Sequence, residues 1–104
     1  IGIGAIKYAD LSIDRNKNYV FDWNKMLSFD GNTAPYLQYA HARICSIFRR
    51  TSISRESTTD SEILVVNDFE KSLSKSIIGF SESIDETINS YSPHRCAPDP
   101  HKGD

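Results

Sequence analysis

The stretch Ser28–Arg50, SFDGNTAPYLQYAHARICSIFRR, is the most informative part of this 104-residue chain. A turn at Gly31 and Asn32 opens a long predicted helix, with Asn32 or Thr33 as its N-cap and Pro35 in its first turn. At about 100° per residue, two neighbouring stripes run along this helix. The apolar stripe contains Leu37, Ala40, Ile44, Ile47 and Phe48, and the aromatic–basic stripe contains Tyr36, Tyr39, Arg43 and Arg50. The apolar stripe predicts a buried face.

The aromatic–basic stripe indicates a chemistry as well as a fold. Tyrosine rings stack on unpaired nucleobases, and arginine guanidinium groups form bidentate hydrogen bonds with phosphates. Residues 1–55 carry eight Lys and Arg against four Asp and Glu, whereas residues 56–104 carry four against ten. A basic first half therefore lies within a chain of net charge −2. Two alternatives stay open: a stripe packed on a neighbouring helix, and arginines (Arg43, Arg49, Arg50 and Arg55) that complement the negative end of the helix dipole.

Shorter elements precede the long helix. A helix is predicted over Gly2–Leu11, where two early glycines favour close backbone approach. Tyr19–Phe21 is β-prone but brief, and we expect at most a short extended piece there. Asp22 is placed to cap a short helix that runs through Leu27.

Two further helices are predicted after the hydroxyl-rich loop 51–59. Asn67 and Glu70 form a capping-box signature at the start of the first, after an apolar run, Ile63–Val66, that suits either a strand or a buried helix start. We expect Gly79 to divide the two helices. The expected core faces are Phe69, Leu73 and Ile77, then Phe80, Ile84, Ile88 and Tyr91. The fold class is therefore all-α, a bundle or helical array with at most one short extended piece.

Composition limits the kinds of protein to which this chain can belong. A hydrophobic content of 38% supports only a modest core, and no run approaches the roughly 20 apolar residues of a membrane span. A start at Ile1, without a signal-peptide pattern, predicts an internal fragment of a longer protein. Cys45 and Cys96 have no closely spaced cysteine partner, so the cysteines indicate neither a zinc site nor a disulfide framework. Free cysteines are typical of proteins in a reducing compartment. No nucleophile–base arrangement indicates a hydrolase.

The segment Met26–Ile44, MLSFDGNTAPYLQYAHARI, resembles the part of arginyl-tRNA synthetases that joins the catalytic domain to the anticodon-binding helical domain. Gly2–Tyr8 and Tyr19–Trp23 match the family's preceding segment in order and approximate spacing, and Pro93–Arg95 fits a later Pro-His-Arg sequence. The resemblance is close over residues 1–50 and weak over 67–95. It implies three parts: residues 1–27 as the end of the catalytic domain, 28–95 as a partial anticodon-binding domain, and 96–104 as a tail that does not match.

This resemblance implies a fragment of an arginine–tRNA ligase, located in the cytoplasm or an organelle and without a membrane partner. The implied partner of the fragment is tRNA, and the intact enzyme also uses arginine and ATP with magnesium. By the match to the family, Tyr36, Tyr39 and Arg43 face the anticodon arm of tRNA. The loop residues expected to approach the same arm are Phe29, Asp30, Gly31 and Asn32.

The nucleotide-site signatures of the resembled family are not found in these 104 residues. No His-x-Gly-His element is present, and Ser72–Ser76 (SLSKS) approximates the Lys-Met-Ser-Lys-Ser loop but falls within a helical period. We therefore expect no catalytic residue, metal site or cofactor in the fragment, and no activity from it alone. The alternative function is a non-catalytic helical module whose acidic second half binds a basic protein partner.

Overall fold

The computed structural model describes residues 1–54, 56–58 and 61–97. Its four α-helices are α1 (Gly2–Leu11), α2 (Trp23–Met26), α3 (Ala34–Thr51) and α4 (Asp68–Ser90), and its two 3₁₀ helices are Glu56–Thr58 and Pro93–Cys96. None of the described residues belongs to a β-strand, Tyr19–Phe21 included. The predicted all-α fold is therefore confirmed.

Side-chain caps mark where three of the four α-helices begin. Asp22 caps α2, and the Thr33 hydroxyl accepts the backbone N–H of Tyr36 at 3.3 Å to cap α3. At the start of α4 the Asn67 side chain accepts the Glu70 N–H at 2.9 Å, while the Glu70 carboxylate accepts the Asn67 N–H at 3.1 Å. This is the predicted capping box, and it satisfies amide groups that a helix start leaves without intrahelical partners.

The best-packed region lies where α1 meets α2 and the start of α3. The buried side chains there are Ala5, Met26, Ala34 and Pro35. A methyl group added at Gly4 would lie 2.7 Å from Nε2 of Gln38 on α3, whereas one added at Gly2 would meet nothing within 4 Å. The predicted close backbone approach is therefore wrong at Gly2, and at Gly4 the near neighbour is the end of a side chain.

Helix α4 runs without interruption through Gly79, so the prediction of two helices divided there is wrong. An isolated glycine in a helix interior costs only about 1 kcal/mol relative to alanine. A helix of 23 residues with a capping box tolerates that cost. The helix ends instead at Tyr91, which adopts the left-handed conformation at φ 51°, and the chain turns into the 3₁₀ helix Pro93–Cys96.

Residues Ile63–Val66 form neither of the two structures considered for them. They are exposed and have no regular secondary structure. The backbone N–H of Val66 donates to the Glu70 carboxylate at 2.7 Å, so this run leads into the capping box of α4.

The apolar faces of α3 and α4 were predicted to be core, and this prediction is wrong for the described residues. The exposed fractions of Leu37, Ile44 and Ile47 are 45%, 50% and 60%, while Ala40 and Phe48 are half-buried. The predicted core side chains of α4 and its C-cap are 37–89% exposed: Phe69, Leu73, Ile77, Phe80, Ile84, Ile88 and the C-cap Tyr91.

The apolar faces of α3 and α4 are exposed because the helices form an open array. Helix α3 packs on α1, and α4 packs on the 3₁₀ helix that follows it. The chain has an accessible surface of 9107 Å², whereas a compact monomer of 11.8 kDa would have about 5,900 Å². Its radius of gyration is 16.3 Å against about 13 Å for a compact domain of this length.

The end of α4 returns to the neighbourhood of α1. The Arg15 guanidinium donates to the Tyr91 carbonyl oxygen, and Arg95 pairs with Glu86 at 3.4 Å. A hollow between the two regions is lined by Tyr8, Leu11, Ser12, Thr87, Pro93, Cys96 and Ala97. Among the described residues, no helix is both long and apolar enough to cross a membrane.

Candidate nucleic-acid interface

The loop before α3 is organised by its own hydrogen bonds. The Ser28 hydroxyl accepts the backbone N–H of Asp30 at 3.1 Å, and the Ser28 carbonyl accepts the Thr33 hydroxyl at 2.6 Å. Gly31 adopts a φ of +80°, a conformation that residues with a Cβ rarely adopt. The result is a compact loop with Phe29 and Asp30 exposed.

Helix α1 holds the other end of this loop. The Tyr8 hydroxyl donates a hydrogen bond to Oδ1 of Asn32, 24 positions further along the chain. Tyr8 is half-buried, and burial raises the pKa of its hydroxyl. The sequence did not predict this bond, because no local pattern links residues that far apart. We interpret Tyr8 as a positioning residue for the loop.

Three side chains form one contact cluster on the outer side of the loop and α3: Phe29, Tyr39 and Arg43. The rings of Phe29 and Tyr39 meet edge to face, with centroids 6.4 Å apart and an interplanar angle of 85°. The Arg43 guanidinium carbon lies 5.6 Å from the Tyr39 ring centroid, and Nη1 lies 3.5 Å from the Tyr39 hydroxyl. Such edge-to-face and cation–π contacts hold flat groups in fixed orientations.

Tyr36 lies beside this cluster and is 47% exposed. It lines a shallow hollow together with Gly31, Asn32, Thr33 and Leu37. The structure thus brings Phe29, Tyr39 and Arg43 into contact, and it places Tyr36 next to the loop residues Gly31 and Asn32. Asp30 is exposed on the same loop.

Helix α3 carries basic charge at its C-terminal end. The ion pairs Lys71–Asp68 and Arg95–Glu86 both lie outside α3. Arg49 and Arg50 are exposed in the last turn of α3. Arg55, which was expected to add to this charge, lies outside the described residues.

The segment that approximates a nucleotide-site loop is helical. Ser72–Ser76 lies within α4, where the Ser74 hydroxyl donates to the Glu70 carbonyl at 2.8 Å and the Ser76 hydroxyl to the Ser72 carbonyl at 3.1 Å. Its interpretation as helix rather than phosphate loop is confirmed.

The similarity to known proteins agrees with this geometry. Residues 37–98 match the family described as the DALR anticodon binding domain. Arginine–tRNA ligases of Klebsiella pneumoniae (strain 342) and Escherichia fergusonii are each 44% identical to the chain, and that of Enterobacter sp. (strain 638) is 42% identical. Each match covers 94 residues, which is 90% of this chain and 16% of the relative. The chain thus spans about a sixth of the length of these relatives.

The resemblance to arginyl-tRNA synthetases seen in the sequence is confirmed by these matches. The family match extends over more than half of the chain and includes most of α3, all of α4 and the 3₁₀ helix Pro93–Cys96. The chain therefore belongs to the DALR anticodon-binding domain family and is a homologue of arginine–tRNA ligases.

Proposed function

We propose that this chain provides anticodon-arm contacts for an arginine–tRNA ligase. The observation that carries this proposal is the exposed cluster of Phe29, Tyr39 and Arg43, beside a basic helix end, in a chain homologous to such ligases. We place residues 1–27 at the junction with a catalytic domain, residues 28–95 in the tRNA-binding domain, and residues 96–104 in a tail. Arginine activation with ATP and magnesium is assigned to parts of the ligase outside these residues.

Each member of the proposed surface has a distinct role. One face of the Tyr39 ring is covered by Arg43, so Tyr39 orients the guanidinium group while the other guanidinium N–H groups can bind phosphate. Phe29 and Tyr36 offer exposed rings on which unpaired bases can stack, at about 1–3 kcal/mol per base. Gly31 and Asn32 shape the loop, and Asp30 is an acceptor for base or ribose donors.

The test is tRNA affinity across a salt series, measured with an arginine tRNA transcript. Arg43→Ala should weaken binding and lower the slope of log affinity against log salt by about 0.7–0.9 for each phosphate that the variant no longer neutralises, because fewer counterions are released. Arg43→Lys should keep the slope, because the charge remains. It should still weaken binding, since an ammonium group lacks the planar fork.

Lys75→Ala is the matched control, because it removes one exposed positive charge from α4, far from the cluster in sequence. It should leave both affinity and slope close to those of the unaltered chain. Equal affinity and slope for Arg43→Ala and the unaltered chain, with equal helicity by circular dichroism, would show that the cluster does not bind tRNA.

The alternative function is a helical module that binds a basic protein. It draws on Glu82, Asp85 and Glu86, which are exposed along α4. Under this alternative, charge-removing substitutions at Glu82 and Asp85 would abolish binding of a basic peptide, and Arg43→Ala would have no effect on any ligand. The salt series above therefore separates the two functions.

A further inference from the structure

Helices α3 and α4 each carry an apolar stripe that the described chain leaves exposed. The large exposed side chains of these stripes are Leu37, Ile44 and Ile47 on α3, and Phe69, Leu73, Ile77, Phe80, Ile84 and Ile88 on α4. Helix α3 packs on α1, and α4 packs on the 3₁₀ helix Pro93–Cys96, but neither contact covers a stripe. The proposed tRNA surface assigns no role to any of these nine side chains.

The two helices have opposite net charges. Helix α3 contains three arginines and no acidic residue, a net charge of +3, whereas α4 contains five acidic residues and two lysines, a net charge of −3. Charged residues also border the stripes. At 100° per residue Arg50 lies about 60° beyond Ile47, and Asp85 lies about 60° beyond Ile88. Opposite charges favour pairing of α3 with α4, while like charges oppose pairing of α3 with α3 or of α4 with α4.

The two stripes together present enough apolar surface for a stable interface. At about 200 Å² for a fully exposed side chain of this size, the exposed fractions give about 1,000 Å² per copy, or about 2,000 Å² for two copies. Stable protein–protein interfaces bury about 1,200–2,000 Å² in total. Burial of about two-thirds of the available surface is therefore sufficient.

A second copy of the chain can cover both stripes without any rearrangement within either copy. The C-terminal end of α4 is held beside α1, because Arg15 donates to the Tyr91 carbonyl oxygen, and α1 packs on the start of α3. Both stripes are exposed in this arrangement, so pairing them within one chain would require α4 to move. We propose that the chain forms a two-fold symmetric dimer in which the α3 stripe of each copy packs on the α4 stripe of the other.

The test is sedimentation equilibrium of the 104-residue chain over a wide range of concentration. The unaltered chain should have twice the mass of a single 11.8-kDa copy and should dissociate on dilution. One variant alters the α3 stripe by Ile44→Gln with Ile47→Gln, and a second alters the α4 stripe by Leu73→Gln with Ile77→Gln. Each variant should raise the dissociation constant by about tenfold or more, because two large side chains per copy lose their apolar burial.

A mixture of the two variants distinguishes this reciprocal dimer from other dimers. In a mixed dimer the unaltered α3 stripe of one copy meets the unaltered α4 stripe of the other, so one of the two contacts is intact. The mixture should therefore associate more tightly than either variant alone. A dimer formed by α4 on α4 would be unaffected by the α3 substitutions, and that result would overturn the proposal.

Ile78→Gln is the matched control, because Ile78 is exposed on α4 but lies roughly 130° around the helix from the middle of the stripe. It should leave the dissociation constant unchanged, and an effect as large as that of the α4 variant would contradict the assigned face. Circular dichroism of every variant should show unaltered helicity, since glutamine is a good helix former and the replaced side chains are exposed.

A monomer at every concentration would overturn the proposal. That is the result expected if α4 folds back on α3 of the same chain, or if a different polypeptide covers the stripes. The measurement contains no RNA and alters no residue of the proposed tRNA surface, so the dimer and the tRNA contacts fail independently.

Discussion

Substitution of Gly31 by alanine tests whether the loop before α3 depends on a conformation that only glycine adopts easily. Gly31 has a φ of +80°, and an added methyl group would meet no atom within 4 Å. A steric clash with neighbouring residues therefore contributes nothing. The remaining effect is backbone strain, which costs a residue with a Cβ about 1–2 kcal/mol. We expect Gly31→Ala to be destabilising by that amount.

Two measurements together detect this strain, whether the loop keeps its conformation or rearranges. If the loop keeps its conformation, urea unfolding followed by far-ultraviolet circular dichroism should show a free energy of unfolding lowered by about 1–2 kcal/mol. If the loop rearranges instead, the rings of Phe29 and Tyr39 separate, and tRNA affinity falls while the unfolding curve stays in place. Gly31→Asn should recover part of either effect, because asparagine tolerates positive φ better than alanine.

Gly79→Ala is the control, because its expected change in the free energy of unfolding has the opposite sign. Its added methyl group also meets nothing within 4 Å, but Gly79 lies inside α4 with ordinary helical backbone angles. Alanine there should raise the free energy of unfolding by about 0.5–1 kcal/mol. If Gly31→Ala matched the unaltered chain in both unfolding and tRNA affinity while Gly79→Ala was stabilising, the reasoning about the loop would be refuted.

Two further predictions concern positioning and pH. Tyr8→Phe removes the hydrogen bond to Asn32, so stability should fall by about 0.5–1.5 kcal/mol and tRNA affinity should decrease without a change in salt slope; an altered slope would contradict a purely positioning role. Hydrogen bonds from the backbone N–H groups of Val66 and Asn67 lower the pKa of Glu70. Its stabilisation of α4 should therefore be fully present above the unfolded-state pKa of about 4.3 and be lost as pH falls through the lower folded-state pKa. Glu70→Gln should remove that component of the pH dependence of helicity, and an unchanged acid profile would contradict this.

The helix starts could be predicted because their determinants lie within four residues of one another. Asp22 and the Asn67–Glu70 pair each bond to backbone groups two or three positions away, so the pattern alone identifies them. For α3 the pattern left Asn32 and Thr33 open, and the structure has Thr33 as the cap. The prediction of a helix break at Gly79 was wrong because a break depends on the helix propensities of all the residues in the helix. A single weak residue does not outweigh the favourable residues on both sides of it.

The geometry of the candidate site was only partly predictable. The spacing of Tyr36, Tyr39 and Arg43 along a helix placed them on one side of α3. The contact between Phe29 and Tyr39 depends on the path of the intervening loop, and periodicity carries no information about that path. The bond from Tyr8 to Asn32 depends on the packing of α1 against α3, which residue spacing does not reveal.

The orientation of the aromatic–basic stripe has a different cause from the one that the sequence suggested. Burial of the neighbouring apolar stripe would have fixed the rotation of α3, but that stripe is largely exposed in the described chain. Helix α1 packs on the start of α3 instead, where Ala34 is buried and the end of the Gln38 side chain lies close to Gly4. The side of α3 that packs on α1 lies roughly 140–180° around the helix from Arg43. Because α1 packs on the N-terminal part of that side and also holds the loop through Tyr8, one short helix supports both the loop and the start of α3 opposite the proposed tRNA surface.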